Sequence, residues 1–343
     1  MMNIFRDYHH KEISGKQLNN YNLKFYKFIN ENKCHNGLNY ELGENIDPLV
    51  FCPNNSCQKG GIYFTTHDHI LKFIGYGCYY CEITIPDDSK CYVENDKIKT
   101  DKLNILNFTR IETLNEWYDN SFCLKAILSN VLSLKYVNIQ TEQLCLEAVR
   151  QNGNVLQFVK EQTKEICFEA VKRNGFSLQY VDTQYITEQL CLIAVGQDGH
   201  ALQFVENQTE EICLVAIRQS VEIFGYGYIK QQTEQISSAA VTRDGYLLKH
   251  VLIQTEEICL KAVKQEGNSL QFVQIQTEEI CLGAVRQSGT SLQYVKIQSD
   301  DICLEAVRQN GLSLQFVKKQ TFLICDKAIK QNKKAIKYVK IML

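Results

Sequence analysis

Proline is almost missing. The chain has three in 343 residues, Pro48, Pro53 and Pro86, so nothing after Pro86 carries that helix breaker. An excess of either charge is missing as well. The formal net charge is −2, and Lys+Arg balance Asp+Glu on both sides of residue 111. A nucleic-acid binder would usually show a basic surplus, so none is expected as a partner. The one lysine cluster, "KQNKKAIKYVK", reads as a solvated terminal cap. No apolar run approaches the roughly 20 residues of a membrane span. The opening "MMNIFRDYHHKEISGK" lacks the apolar core of a signal peptide, which points to a soluble intracellular protein. No P-loop and no G-x-G-x-x-G is present, and no Ser or Cys nucleophile motif accompanies the adjoining His67, Asp68 and His69. Catalytic residues and cofactors are therefore expected to be none. Apolar content of 45% against 22% charge still calls for a packed fold.

What the chain does have is one phrase written ten times. "QTEEICLKAVKQEGNSLQFVQI", "QTEEICLGAVRQSGTSLQYVKI" and "QSDDICLEAVRQNGLSLQFVKK" follow one another from Gln254. Cys123, Cys145, Cys167, Cys191, Cys213, Cys259, Cys281, Cys303 and Cys325 occupy one slot of the phrase, and Ser237 takes it once. The usual interval is 22 residues. Self-similarity at such a period signals a solenoid.

Each phrase reads as two helices. In Gln140 to Glu161, Thr141 is a natural N-cap, and Glu142 sits near the positive end of the helix dipole. Leu144, Cys145, Ala148 and Val149 form one helical stripe. Glu147 and Arg150 are spaced to pair on the outside. Gly153 suits a left-handed helix end. Leu156, Phe158 and Val159 fit a second, two-turn helix. The competing reading is a leucine-rich repeat strand, but "ICLEAVRQNG" lacks the alternation that a strand needs. The expected fold is mainly α: an α-solenoid of about ten 22-residue helix–turn–helix units over 112–343, preceded by a small α+β domain over 1–111.

Recurring polar residues read first as architecture. With no secretory signal the slot cysteines are expected to be reduced, small core residues: a metal ladder needs several converging ligands where each unit offers one, and a bridge needs Cα atoms within about 7 Å where stacked slots stand roughly 8–10 Å apart. The Gln before each cap (Gln140, Gln162, Gln184, Gln208, Gln232, Gln254, Gln276, Gln298, Gln320) is suited to satisfying backbone groups in an inter-unit turn, with ligand reading as the alternative. Two units break register. "QYITEQ" inserts two residues before Thr187, and "QSVEIFGYGYIKQQ" brings Phe224, Tyr226 and Tyr228 between glycines. These three aromatics are the candidate partner-binding residues; local repacking is the other reading.

The first 111 residues share none of this period. "GGIYFT", "YYCEITIP", "KCYVEN" and "DKLNILN" alternate as strands do, and "HDHILKFI" suggests a helix. Metal sites are expected to be none, with a zinc site at Cys52, Cys57, Cys78 and Cys81 as the alternative; only one C-x-x-C pair supports it.

The stretch "FYKFINENKCHNGLNYELGENIDPLVFCPNNSCQKGGIYFT" (Phe25 to Thr65), through "HNG", "NID" and "GGIYF", resembles the N-terminal domain of mimivirus-type giant-virus repeat proteins, where it often precedes ankyrin repeats. The phrase "EICLEAVRQNGLSLQFVK" is similar to a short helical repeat of unknown function from giant viruses and protists. This chain departs in having no ankyrin "T-P-L-H-x-A" phrase, and in Cys52 where relatives tend to have Asn. The resemblance implies a viral paralogue acting in host cytoplasm, or alternatively a structural virion component. It supplies no catalytic residues. Repeat architecture and neutral charge together suggest a non-enzymatic scaffold for protein–protein interaction. The alternative is a zinc-binding or hydrolytic N-terminal domain targeted by the solenoid.

Overall fold

The computed structural model describes residues 3–35, 37–53 and 59–340. The chain forms two compact units, Met1–Arg173 and Asn174–Leu343.

The first unit opens on short helix α1 (Ile4–Asp7), strand β1 (Glu12–Ser14) and helix α2 (Gly15–Asn19). Strands β2 (Phe25–Ile29), β3 (Cys34–His35), β4 (Leu38–Asn39), β5 (Gly43–Ile46) and β6 (Ile62–Thr66) follow, then helix α3 (His67–Ile70). Strands β7 (Tyr79–Thr84), β8 (Lys90–Val93), β9 (Ile98–Thr100), β10 (Lys102–Ile105) and β11 (Thr109–Arg110) complete the sheet-rich part. The expected strands and the helix at "HDHILKFI" are therefore found, the latter continuing as a 3-10 helix over Leu71–Tyr76. The sheet runs β1-β8-β9-β6-β2-β7-β10-β5 with antiparallel neighbours throughout, and β11 also pairs with β7. Alternation sets the core: Cys81 and Ile83 of β7, Cys91 and Val93 of β8, and Leu103 and Ile105 of β10 are buried. They pack with Leu18, Phe25, Ile29, Ile62 and Phe64. β2 lies between β6 and β7 and is buried along its whole length, as a central strand should be.

A fully buried Trp117 closes this part of the first unit. Its Nε1 donates to the Ile111 carbonyl at 2.6 Å, and its ring stacks on Tyr136 at 5.5 Å. Its own carbonyl accepts from the Asn138 amide at 3.2 Å and from the Cys123 thiol at 3.4 Å. The first repeat has no preceding repeat to lean on; Trp117 supplies those contacts.

Ten helices of ten residues each carry the repeat. In the first unit they are α4 (Asn120–Ser129), α5 (Glu142–Gln151) and α6 (Lys164–Arg173). In the second they are α7 (Glu188–Gln197), α8 (Glu210–Gln219), α9 (Glu234–Arg243), α10 (Glu256–Gln265), α11 (Glu278–Gln287), α12 (Asp300–Gln309) and α13 (Phe322–Gln331). The fold is thus mainly helical. In α5 the buried residues are Leu144, Cys145, Ala148 and Val149, the predicted stripe, and Thr141 accepts from the Leu144 amide as N-cap. Ten residues are too few for an isolated helix in water. Burying one isoleucine such as Ile302 contributes about 1.5–3 kcal/mol, so stacking, not propensity, holds each unit.

The second element of each unit is tighter than an α-helix. Gly153–Phe158 is a 3-10 helix, and the same six-residue element recurs at Gly267–Phe272, Gly289–Tyr294 and Gly311–Phe316. Its buried positions explain the choice. Gly153 and Leu156, at i and i+3, share one face of a three-residue turn; Val155 is buried beside them, and Val159 follows, buried, in extended backbone.

The glycine does not cap the preceding helix in a left-handed conformation. Asn152 ends α5 in extended backbone (φ −148°), and Gly153 is absent from the residues with positive φ. The reason for glycine is distance. A Cβ on Gly289 would stand 2.4 Å from the Ala306 carbonyl oxygen of the next unit, and one on Gly311 would stand 2.4 Å from that of Ala328. Arg150 also pairs across units instead of within its helix: its Nε lies 3.2 Å from Glu169, not beside Glu147.

Candidate functional site

The recurring Gln is a clamp. Gln276 donates through Nε2 to the Leu270 carbonyl at 3.4 Å and to the Tyr294 carbonyl of the following unit at 3.0 Å. Its Oε1 accepts from the Lys296 amide at 2.9 Å and from the Cys281 thiol at 3.7 Å. Gln254 and Gln298 repeat the pattern, and Gln140 does so in the first unit. The amide satisfies loop groups that would otherwise be orphaned between units. The structural reading therefore stands for these four, whereas Gln184 lies exposed in the 3-10 helix Thr183–Tyr185 of a register-breaking unit.

A second glutamine ladder went unseen in the sequence. Gln309 ends α12; its Oε1 accepts from the Gly289 amide at 2.7 Å, and its Nε2 donates to the Gln287 carbonyl at 3.4 Å. Gln265, Gln287 and Gln331 do the same for their neighbours. A third ladder joins cap to cap: Thr277 Oγ1 donates to Glu256 at 2.7 Å, and Ser299 Oγ to Glu278 at 3.1 Å.

The slot cysteines are buried thiols. Burial pushes the thiols of Cys145, Cys259 and Cys303 up to about 11, with the nearby first-turn acid adding to it. Such thiols are poor nucleophiles and poor metal ligands at neutral pH. Ser237 fills the slot with the same burial.

The other candidate residues do not assemble. Cys81 is buried in β7, its thiol pushed up to about 12 by burial. Cys78 donates to Glu31 at 3.0 Å. The Cys52 carbonyl accepts from Lys99 at 2.8 Å. Cys57 lies outside the described residues. Among the described residues no three His, Cys, Asp or Glu side chains are grouped to hold a metal ion. His67 and His69 pack edge-on against Tyr26 and Phe5.

The register break at 219–232 divides its aromatics. Phe224 is buried at 2% exposure, as a core residue of a shortened 3-10 helix, Val221–Phe224. It takes the place that Leu holds in other units, so it offers no surface to a partner. Tyr226 is 63% exposed, and its ring stands 5.9 Å from that of Tyr228 and 6.0 Å from that of His200. Gly227, in the left-handed region at φ 76°, turns the chain between the two tyrosines.

The most regular exposed feature lies elsewhere. Ile253, Ile275 and Ile297 stand immediately before the clamping Gln of three successive units, exposed at 76%, 81% and 85%. Ile275 and Ile297 border one groove of about 490 Å³, together with Gln276, Glu278 and Lys296. First-turn acids Glu256, Glu257, Glu278, Glu279, Asp300 and Asp301 are exposed on the same three units. Lys296 and Lys318 are turned onto backbone carbonyls, of Gln274 at 2.9 Å and Lys296 at 2.9 Å. Single exposed apolar residues are ordinary; the same one exposed in the same place three times is not. In one unit the isoleucine looks incidental. Aligning units column by column was the signal that would have found it.

No helix among the described residues is long and apolar enough to cross a membrane. A family described as a domain of unknown function, DUF4116, matches residues 141–186, 255–298, 277–322 and 299–343. Each match spans two of the units described above. A protein of Acanthamoeba polyphaga mimivirus that bears the name of an ankyrin repeat protein is 36% identical over 70 residues, covering 20% of this chain and 35% of its own length. A second protein so named, from the same virus, is 43% identical over 54 residues, covering 16% of this chain and 18% of its own length. The chain thus spans about a third or less of the curated relatives it matches. No solved structure matches. The chain is a repeat protein, built of 22-residue helical units and related over part of its length to proteins of a giant virus.

Proposed function

We propose that the chain is a non-enzymatic scaffold in host cytoplasm that docks a protein partner on the edge marked by Ile253, Ile275 and Ile297. The recurrence of that exposed isoleucine is the observation that carries the reading. Apolar side chains give a partner surface to cover, and the row of first-turn acids selects for a basic, apolar-studded segment. Tyr226 and Tyr228, whose rings stand 6.0 and 6.2 Å from that of His200, offer a second contact of the kind that anchors interfaces. Non-enzymatic binding also suits a repeat whose polar residues are spent on joining its own units.

A photo-crosslinking residue at position 275 or 297, in the full chain produced in host cells, tests the reading. The same protein should be trapped from both positions and not from position 271, an exposed glutamine outside the row. Ile275→Asp with Ile297→Asp should lose the crosslinked partner while melting within about 1 °C of the parent, since exposed changes cost little. Trapping of unrelated proteins from 275 and 297, or full retention in the Asp variant, defeats the proposal.

A further inference from the structure

The sheet-rich part holds a cavity that a repeat scaffold does not use. β2 and β6 pair only at Phe25 with Thr66 and Tyr26 with Thr65. Beyond those two pairs the strands part. β2 stays with β7 as far as Ile29, and β6 turns to β9. A cavity of about 220 Å³ opens at the parting. That exceeds the roughly 150 Å³ that admits benzene, and it suits a fused ring or a medium alkyl chain. Tyr26, Phe28, Phe64, Phe73 and Tyr76 supply an aromatic lining.

Lys27 is the residue out of character there. It is the one charge in the strand "FYKFI" and is 7% exposed. Its Nζ donates to the Tyr63 carbonyl at 2.8 Å, just past the parting, and stands 5.1 Å from the centre of the Tyr40 ring. An ammonium has three donors, and Tyr63 takes one. Among the described residues no acid is paired with Lys27, whereas Lys97, the other lysine lining the cavity, lies 3.5 Å from Glu94. A buried cation without a counter-ion is costly, and an entering anion would remove that cost.

We propose that this cavity binds a small organic carboxylate, its apolar body against the aromatic lining and its carboxylate on the remaining donors of Lys27. The groups facing Lys27 leave the positive charge to it. Burial pushes the Cys81 thiol of β7 up to about 12 and raises the Tyr40 phenol, while His35 of β3 is lowered by burial and by Lys27 itself. Burial draws Lys27 down to about 8, so it carries its charge at pH 7 and sheds it by pH 9.

Calorimetric titration of the full chain with naphthalene-2-carboxylate and with its neutral amide is the test. One carboxylate should bind per chain, at least tenfold tighter than the amide, and that preference should fade between pH 7 and pH 9. Lys27→Met should bind both alike. The pH arm needs no variant, so the idea stays testable if Lys27→Met folds poorly. Equal affinities for acid and amide at pH 7, binding of neither, a pH-independent preference, or unchanged preference in folded Lys27→Met would each overturn it.

Discussion

Gln276→Ala isolates the clamp. The change removes two Nε2 bonds and the Oε1 acceptor of the Lys296 amide. The Leu270 carbonyl keeps a partner, because the Val273 amide also donates to it at 3.1 Å. The Tyr294 carbonyl and the Lys296 amide do not. Leaving a buried group unpaired costs about 1–3 kcal/mol; Tyr294 is half-buried and Lys296 exposed, so the two together are expected to lose about 2 kcal/mol. Gln315→Ala is the control. Gln315 is exposed and bonds only within its own 3-10 helix, to Leu312 at 3.1 Å, so its removal should stay within about 0.5 kcal/mol. Repeat arrays need not unfold in one step, which makes local hydrogen exchange the better assay. Since each 1.4 kcal/mol is a factor of ten, the Lys296 amide should exchange roughly 30-fold faster in Gln276→Ala. If it exchanges no faster than in Gln315→Ala, the clamp is not what joins the units.

Two glycines should respond with opposite signs. Gly289→Ala presses a methyl onto the Ala306 carbonyl and should cost about 1–3 kcal/mol, whereas Gly196→Ala, whose Cβ would meet only Val215 at 3.9 Å within a helix, should gain about 0.5–1 kcal/mol; thermal melts of the two variants decide. The buried thiols predict a pH window. The folded chain holds their protons more tightly than the unfolded one, so their contribution is complete below the ordinary thiol value of 9.0 and is lost as pH rises towards about 11. Replacing Cys145, Cys259 and Cys303 with Ser should flatten the fall in melting temperature between pH 8 and 10.5; parallel curves would contradict the burial argument. Trp117→Phe should destabilise the first compact unit by about 1–3 kcal/mol through the lost Ile111 bond and the volume left unfilled, read by far-ultraviolet dichroism in urea.

The helices were legible because two signals agreed within ten residues. Thr141 marked the start, and Leu144, Cys145, Ala148 and Val149 marked the face. What escaped depends on residues one unit away. Nothing near Gly289 in sequence reveals the Ala306 carbonyl that demands a missing side chain. Arg150 had a partner in reach at Glu147 and took Glu169 instead, because stacked helices bring it closer. Phe224 looked exposed beside its glycines; alignment against Leu156 of an earlier unit places it in the core column. Four strands of the first unit, β6, β7, β8 and β10, were readable from alternation; β2, buried at every position, was not, and neither was its parting from β6, since that is set by which neighbour each strand keeps. Lys27 was visible as a charge inside an apolar run, and only the pairing shows what it faces.

The joints between regular units reach about one module along the chain. Gln276 clamps the turn 18 and 20 residues ahead, and Gly289 meets a carbonyl 17 residues ahead. Between regular units these joints depend on spacing and not on absolute position, so a gene gaining or losing whole regular modules by recombination would encode joints that still match. Copy number can therefore drift, while a deletion of any other length leaves mismatched halves at the scar.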